Sequence, residues 1–250
     1  MKADLIFKKL NEMAPLSLAA EFDNPGFLIG DKEQDIEKAV ICLDVTSSVV
    51  EFAIKNGANL IISHHPIIYS PLKNITSDNS RVFSCLSNGI SVISMHTNLD
   101  MADGGVNDTL AKVLGLKNVS KISGEDGFVF RKGRLSEPMS ADGFARFIKS
   151  KIGGVIRYVD SGKNISCVAV LGGSGGDFWQ IAKQNGADAL VTADVKHSYF
   201  IDALENDFSL FDAGHFHTEN VIVNELFKNL KKEMPEVSFL AFNAKEIKTI

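Results

Sequence analysis

The chain has 250 residues, 45% hydrophobic and 23% charged, an ordinary composition for a globular protein with one large domain or two smaller ones. A net charge of −5 disfavours a nucleic-acid or anionic membrane surface, and no apolar run approaches the ~20 residues of a membrane span. Three scattered cysteines, and an N-terminus without the pattern of a signal peptide, predict reduced thiols and a cytoplasmic protein.

The first part of the chain has the pattern of a parallel sheet. The predicted elements are a helix at 3–13, a strand at 39–45, a helix at 47–57, a strand at 58–63, a helix at 81–88, a strand at 90–95 and a helix at 103–116. Ser47 or Ser48 is expected to cap the second helix, and Gly57 to end it. Strand–helix–strand units with such short connections imply parallel pairing.

The middle of the chain has a different pattern. It predicts a strand at 127–135, a helix at 140–154 and a strand at 155–160. Ser140 is a natural start for this helix, and the glycine pair Gly153–Gly154 is a natural stop.

Residues 39–65 can then be aligned without gaps on 168–194. The aligned positions include Ala53, Asn56, Gly57 and Ala58, which fall on Ala182, Asn185, Gly186 and Ala187. The match predicts a duplicated α/β half, although any two strand–helix–strand units share the same order of strand, helix, glycine and strand. In each copy a further helix and strand follow, and the strand is succeeded by HTNLD (96–100) or HFHTE (215–219). Both segments have a histidine four residues before a carboxylate, so we expect His96 and Asp100 to correspond to His215 and Glu219.

Histidines and carboxylates follow the ends of these strands. They are His64, His65, His96, Asp100, His215 and Glu219. Ligands bind at the carboxyl ends of parallel strands, and imidazole with carboxylate suits zinc, iron, manganese or nickel. Adjacent residues of an extended chain point apart, so His64 and His65 would serve two neighbouring ions. Singly, each motif is equally an ordinary strand end or a chance helical spacing; jointly they predict a metal site.

Other polar segments have two readings each. The run GGSGGD at 172–177 is either a phosphate-binding loop or a tight strand-to-helix turn. The segment EFDNPGF at 21–27 either supplies polar groups to a cleft or forms an Asx turn. We interpret His197 as a cleft residue and His217 as an exposed turn residue.

Seven segments occur in an order typical of one family: EFDNPGFLIGD, CLDVT, ISHHPIIY, HTNLD, GGSGGDF, VTADVKH and DAGHFHTE. On these segments, the chain from Leu5 to about Phe242 resembles the GTP cyclohydrolase 1 type 2 homologues, the Nif-three-like dinuclear-metal hexameric proteins. Repeat and resemblance together predict an α/β fold of two similar, interlinked halves, 1–120 and 121–250, with mixed, mostly parallel sheets. The segment between the halves is too short for the inserted third domain that some relatives carry.

The resemblance also implies an assembly and a ligand set. The assembly is a toroidal homohexamer, built as a trimer of dimers. The ligands of two divalent ions per chain (Zn, Fe, Mn or Ni), in a site shared between the halves, are His64, His65, Asp100, His215 and Glu219, with Glu219 as a bridge. Phe22 and Ala193 stand where this family commonly has tryptophan and glycine; neither is a ligand position.

The resemblance implies a metal-dependent hydrolase, in which a metal-activated water attacks a nucleotide such as GTP or a related phosphate-bearing small molecule. His96 and His197 would then move protons as catalytic residues, because imidazole titrates near neutral pH. The alternative is a non-catalytic metal-binding ring that stores or delivers ions or acts as a scaffold. Five ligands for two ions leave coordination positions open, which favours an enzyme.

Overall fold

The computed structural model describes residues 1–78, 80–124, 127–244 and 247. The chain forms two compact units: the first combines residues 1–103 with 223–244, and the second is built around residues 104–222. Within the described ranges, no helix combines the length and the apolar character that a membrane crossing requires.

The elements are named in chain order. The helices are α1 (Ala3–Met13), α2 (Ser47–Lys55), α3 (Ser80–Ser87), α4 (Thr97–Met101), α5 (Val106–Val113), α6 (Ala141–Ile152), α7 (Trp179–Gln184), α8 (His197–Glu205), α9 (His215–Glu219) and α10 (Val221–Glu233). The strands are β1 (Gly26–Ile29), β2 (Lys38–Cys42), β3 (Leu60–Ser63), β4 (Ser91–Ser94), β5 (Lys117–Ser123), β6 (Val129–Met139), β7 (Arg157–Val159), β8 (Ile165–Ser174), β9 (Ala189–Ala193), β10 (Ser209–Asp212) and β11 (Ser238–Phe242).

The first unit contains a sheet in the order β1-β4-β3-β2-β11, in which β1 is antiparallel and the other strands are parallel. The residues of β3 and β4 are fully buried, as expected for central strands covered on both faces. The N-cap of α2 is Thr46, whose side chain accepts a hydrogen bond from the Val49 amide. The expectation of Ser47 or Ser48 at this cap is therefore wrong by one or two positions, since both serines already lie inside the helix.

The second unit contains a sheet in the order β5-β6-β8-β9-β10-β7. Only β8–β9 and β9–β10 pair in parallel among these described strands, so the expectation of a mostly parallel sheet holds for the first unit and is wrong here. Strand β8 sends Val168 and Val170 into a core with α5 and α6, and Ala169 and Leu171 into a core on the other face. Because successive residues of β8 enter cores on opposite faces, the sequence of this part of the strand is apolar at every position.

The register of strand pairing follows the gapless alignment of the two halves. Ala39 stands opposite Leu60 in the first sheet, and the aligned Val168 stands opposite Ala189 in the second. The predicted start of α6 is also confirmed, because the Ser140 side chain accepts a hydrogen bond from the backbone of the third residue of this helix. The sequence patterns predict no strand in the segments that form β1, β5 and β11.

Candidate functional site

Three imidazole rings of the first unit lie together beyond the ends of β3 and β4. The ring centroids of His64 and His65 are 5.0 Å apart, and that of His96 lies 5.2 Å and 5.5 Å from them. One ring nitrogen from each residue lies within 4.8 Å of the others, a spacing compatible with binding a common ion. Because β3 and β4 are neighbours in the sheet, the histidines that follow these two strands lie at the same sheet edge, as the sequence predicts.

Each of these rings is oriented through its Nδ1 atom. Nδ1 of His64 donates to the carbonyl of Met95 at 2.8 Å. Nδ1 of His65 lies 2.7 Å from Asp44, and Nδ1 of His96 lies 2.7 Å from Asp23. A carbonyl or carboxylate oxygen can only accept, so each Nδ1 carries the proton and Nε2 is the nitrogen suited to coordination.

Asp100 adds a carboxylate to this group. It lies on the short helix α4 and is almost fully buried, with Oδ1 3.6 Å from Nε2 of His64. The His64 side chain is itself inaccessible to solvent. A buried carboxylate beside a buried imidazole nitrogen is the donor combination of many zinc and iron sites.

Asp23 is anchored on two sides. Its carboxylate accepts hydrogen bonds from His96 and from the backbone and hydroxyl of Thr97. Burial would raise the pKa of Asp23, but the hydrogen bonds from His96 and Thr97 outweigh it and lower the pKa to about 2. The carboxylate therefore stays charged at neutral pH, and the segment 21–27 supplies a polar group to the histidine cluster. The same carboxylate also accepts from the backbone amide of Asn24, the next residue; the residue two positions on is Pro25, which has no N–H to close an Asx turn on Asp23.

In the second unit, His215 and Glu219 stand one helical turn apart on α9. Nε2 of His215 lies 2.9 Å from Glu219, and its Nδ1 lies 2.6 Å from Asp194. The Asp194 contact orients His215 as the carboxylates of the first unit orient His65 and His96, but here Nε2 also faces a carboxylate, so the ring can donate from either nitrogen. The Glu219 side chain is almost completely buried.

The backbone of Gly173 leaves room for the Glu219 carboxylate. A Cβ atom at position 173 would meet Oε1 of Glu219 at 2.0 Å and Nε2 of His215 at 3.3 Å. Its φ of +68° also lies in the left-handed region that favours glycine. The glycine run thus makes a close approach of backbone to carboxylate possible.

The first two amides of this run donate to side chains of the same unit. Gly172 donates to the side chain of Asn107 at 2.8 Å, and Gly173 donates to the hydroxyl of Thr218 at 3.0 Å. The α-helix that follows, α7, has six residues. These observations favour the tight-turn reading of GGSGGD over a phosphate-binding loop.

The two remaining histidines, both in the second unit, lie in different settings. His197 is exposed at the first position of α8. His217 is partly buried inside α9, where its Nδ1 donates to the carbonyl of Ile152 at 2.9 Å and its ring packs on Gly154. The interpretation of His217 as an exposed turn residue is therefore wrong, because the end of α6 covers it.

The cysteine thiols do not have the character of nucleophiles. Burial raises the pKa of Cys42 far above its ordinary value and raises the pKa of Cys85 to about 11. Burial also raises the pKa of the half-buried Cys167. The ionisable groups suited to chemistry are therefore the imidazoles and carboxylates.

The sequence patterns missed the three carboxylates that orient imidazoles, Asp23, Asp44 and Asp194. Each lies in one of the segments on which the family resemblance rests; Asp194 directly follows β9, and Asp44 is the second residue after β2. That position was the available signal, because metal-binding histidines commonly have a carboxylate as the acceptor for their second nitrogen.

The fold and these residues define a two-unit α/β protein with imidazole and carboxylate groups that could hold metal ions. The chain belongs to the DUF34/NIF3 family, whose model, Duf34/NIF3 (NGG1p interacting factor 3), matches residues 1–248. The resemblance found in the seven segments is thereby confirmed.

Relatives match over almost their whole length. The chain is 33% identical to a GTP cyclohydrolase 1 type 2 homolog of Clostridium perfringens over 251 residues, 96% of this chain and 95% of that protein. It is 34% identical to the homolog of Clostridium acetobutylicum over 232 residues, 89% of this chain and 87% of that protein. A solved structure of a Staphylococcus aureus hypothetical protein has a TM-score of 0.92 at 30% identity and covers 100% of this chain and 99% of that one.

Proposed function

We propose that this chain is a dinuclear metal-dependent hydrolase. In this proposal, two divalent ions (Zn, Fe, Mn or Ni) are bound by His64, His65 and Asp100 of the first unit and by His215 and Glu219 of the second, with Glu219 as the bridging ligand. The observation that carries it is the oxygen acceptor held against Nδ1 of every proposed histidine ligand, which leaves Nε2 of each ring for coordination.

Divalent ions bound here would supply Lewis acidity and would lower the pKa of a water molecule. The donor set suits them, because His64, Asp100 and Glu219 are buried polar groups that a cation would neutralise or coordinate. The five proposed ligands would leave positions for water and substrate.

His96 is the best-placed group for proton transfer in the first unit. Asp23 holds its Nδ1 proton, so its Nε2 can accept a proton, and the charged Asp23 stabilises the imidazolium that results. His197 is proposed as a second proton carrier; its exposure on α8 gives it direct exchange with solvent. Both assignments are proposals about catalysis, and the ring spacing also allows His96 to be a further ligand.

A nucleotide such as GTP is the proposed substrate, since the curated relatives carry the name GTP cyclohydrolase 1 type 2 homolog. Water would attack C8 of the purine, and a C8–N bond would break so that the imidazole ring opens and its nitrogen takes up the proton. In a phosphate ester, water would attack phosphorus and the alcohol would leave. The alternative is a non-catalytic metal-binding ring for storage, delivery or scaffolding. The burial of the His64 and Glu219 side chains favours it, because enclosed donors also suit ion retention.

Metal content and turnover test the two functions separately. Wild type, Glu219→Ala and the exposed control Glu205→Ala are loaded with each metal, analysed for bound ions, and screened with GTP, other nucleotides and phosphodiesters. The hydrolase predicts two ions per chain in wild type and the control, with turnover that Glu219→Ala abolishes. Two bound ions without turnover of any substrate would support the metal-binding ring, and fewer than two ions in wild type would contradict the dinuclear centre.

We also propose that the chain assembles as a homohexamer, a trimer of dimers. Light scattering of the purified protein checks this, because a hexamer of a 27.2 kDa chain and a monomer differ sixfold in mass. A monomeric mass would contradict the assembly and would leave the metal proposal unaffected.

A further inference from the structure

Asp212 forms hydrogen bonds with two turns of the second unit, the one after β9 and the one after β10. The first turn carries Asp194 and the second carries His215, and these two side chains contact each other. Asp212 is the last residue of β10 and is nearly buried. Its Oδ2 accepts a hydrogen bond from the Val195 amide at 3.1 Å, and its Oδ1 accepts one from the Gly214 amide at 3.0 Å. The first amide follows Asp194 and the second precedes His215, so one carboxylate holds both residues from behind.

Arg157 on β7 supplies the counter-charge. Its guanidinium donates to Oδ2 of Asp212 and to the carbonyl of Val195 at 3.3 Å, and it lies over the ring of Phe200 at 5.5 Å. A buried carboxylate with two amide donors and a guanidinium is well satisfied and is restricted in its position. The pair therefore forms a rigid support for the β9–α8 turn.

The first unit places a smaller group at the equivalent position. Ser63 pairs with Ser94 in the first sheet, as Thr192 pairs with Asp212 in the second. The hydroxyl of Ser94 contacts Ser63 at 2.8 Å and the carbonyl of His65 at 3.5 Å. In both units, then, the last residue of one strand contacts the turn after its parallel neighbour: Ser94 of β4 contacts the turn after β3, and Asp212 of β10 contacts the turn after β9.

We propose that Asp212, paired with Arg157, is a positioning residue for His215. It sets the separation between the turn that carries Asp194 and the turn that carries His215, and thereby keeps Nδ1 of His215 against the Asp194 carboxylate. Asp194 acts on the ring directly, whereas Asp212 acts through the two backbone amides. The expected effect of Asp212 on metal affinity rests on the proposed function. The expected effect of Asp212 on the His215 ring does not depend on it.

The first measurement is made on metal-free protein. Long-range ¹H–¹⁵N spectra of the histidine rings, with the His215 signals assigned from a His215→Gln variant, report which ring nitrogen carries the proton. We expect a protonated Nδ1 in wild type, partial loss of the Nδ1 proton in Asp212→Ala, and a smaller change in Arg157→Ala. Arg157→Lys, which keeps the charge, should restore most of the wild-type pattern.

The matched control is Asp108→Asn, which weakens another carboxylate–guanidinium pair of the same unit, with Arg131. It should lower thermal stability and leave the His215 pattern unchanged. A wild-type ring pattern in folded Asp212→Ala would overturn the proposal. If Asp212→Ala does not fold, Asp212→Asn and Arg157→Ala decide, and unchanged patterns in both would overturn it equally.

The second measurement is zinc affinity, by competition with a chromophoric chelator. Asp212→Ala should bind Zn²⁺ about 10–100-fold more weakly, as expected when the support of a metal-bound histidine is lost. Wild-type affinity in a variant whose ring pattern has changed would contradict the link to metal binding. If wild type itself binds no zinc or other divalent ion, the proposed function fails, and the ring spectra still decide the role of Asp212.

Discussion

The two units share a strand frame and present different donor groups on it. Strands β2, β3 and β4 of the first unit pair in the same register as β8, β9 and β10 of the second, except that the pairing of β8 with β9 shifts between Val170 and Ser174. In each unit the third strand is followed by two linking residues and a helix of five residues, α4 or α9. The duplicated frame thus fixes where side chains emerge, and local sequence decides which ones do.

The turn after the third strand shows the difference most clearly. The residue before the helix is His96 in the first unit and Gly214 in the second, where φ is +81°. A histidine would be strained at that φ, so the histidine of the second unit stands one position later, at His215. The expected correspondence of His96 with His215 is therefore wrong by one residue, because the strand register equates His96 with Gly214.

This one-residue shift changes which donors meet. In the second unit, Glu219 reaches His215 on its own helix at 2.9 Å. In the first unit, the carboxylate of Asp100 approaches His64, a residue from the neighbouring strand, at 3.6 Å. Similar sequence patterns of histidine and carboxylate therefore give two distinct arrangements.

A second difference lies around the end of strands β2 and β8. In the gapless alignment, Asp44 corresponds to Gly173. The Asp44 carboxylate holds His65, whereas Gly173 provides the space that Glu219 occupies. One position thus orients a ring in one unit and accommodates a carboxylate in the other.

The largest expected effect comes from filling that space. Gly173→Ala should lower the free energy of unfolding by about 3 kcal/mol, because the new methyl group overlaps Glu219 and φ is unfavourable. Urea unfolding measures the loss. The control is Gly186→Ala, which has a φ of +77° and no atom within 4 Å of the new Cβ, and should cost about 1 kcal/mol. Equal losses in the two variants would contradict the close packing of Glu219 on the glycine.

The next prediction compares the effect on metal affinity of removing the carboxylate that orients a histidine in each unit. Asp44→Asn and Asp194→Asn should each weaken metal binding by about 10–100-fold, since each removes the charged acceptor for a histidine Nδ1. Titration with Zn²⁺ against a chelator measures this, with the exposed Asp202→Asn on α8 as control. A loss in one variant alone would show that the two units contribute unequally to binding.

Much of this frame could be predicted from the sequence, because its signals are local. Apolar runs define β2 and β3, and the glycine after each intervening helix marks the return to the sheet. The contact of Asp23 with His96 spans 73 positions and has no local signal. Likewise, the pairing of β11 with β2 depends on the path of the whole chain. Sequence therefore predicted where donors would gather, while the residues that orient them required the structure.

A pH effect is expected from the histidine cluster of the first unit. The lowered pKa of Asp23 means that the folded protein keeps this carboxylate charged to lower pH than the unfolded chain does. Its contribution, about 2 kcal/mol, is complete above pH ~4 and is lost as the pH falls towards 2. Urea unfolding between pH 6 and pH 2 should therefore show a smaller decline for Asp23→Asn than for wild type. Parallel declines would contradict the assignment.

The smallest effect concerns helix capping, which also distinguishes the units. Thr46 caps α2 through its hydroxyl, whereas α7 of the second unit has no side-chain cap from Phe178. Thr46→Ala should lower the stability by about 1 kcal/mol, and Thr46→Ser should retain most of it because the hydroxyl remains. Thermal unfolding of both variants measures the difference, and identical melting temperatures would exclude a contribution from the cap.

The pairing of β11 with β2 has a consequence for the order of synthesis. The second unit is built around one continuous segment, but the first sheet receives its last strand from residues 238–242, near the end of the chain. As the ribosome extends the chain, β2 is therefore an exposed edge until residues 238–242 have emerged. The unit whose residues are translated first is the one that is completed last, and a chain that stops before Ser238 would leave its histidine pair on an unfinished sheet.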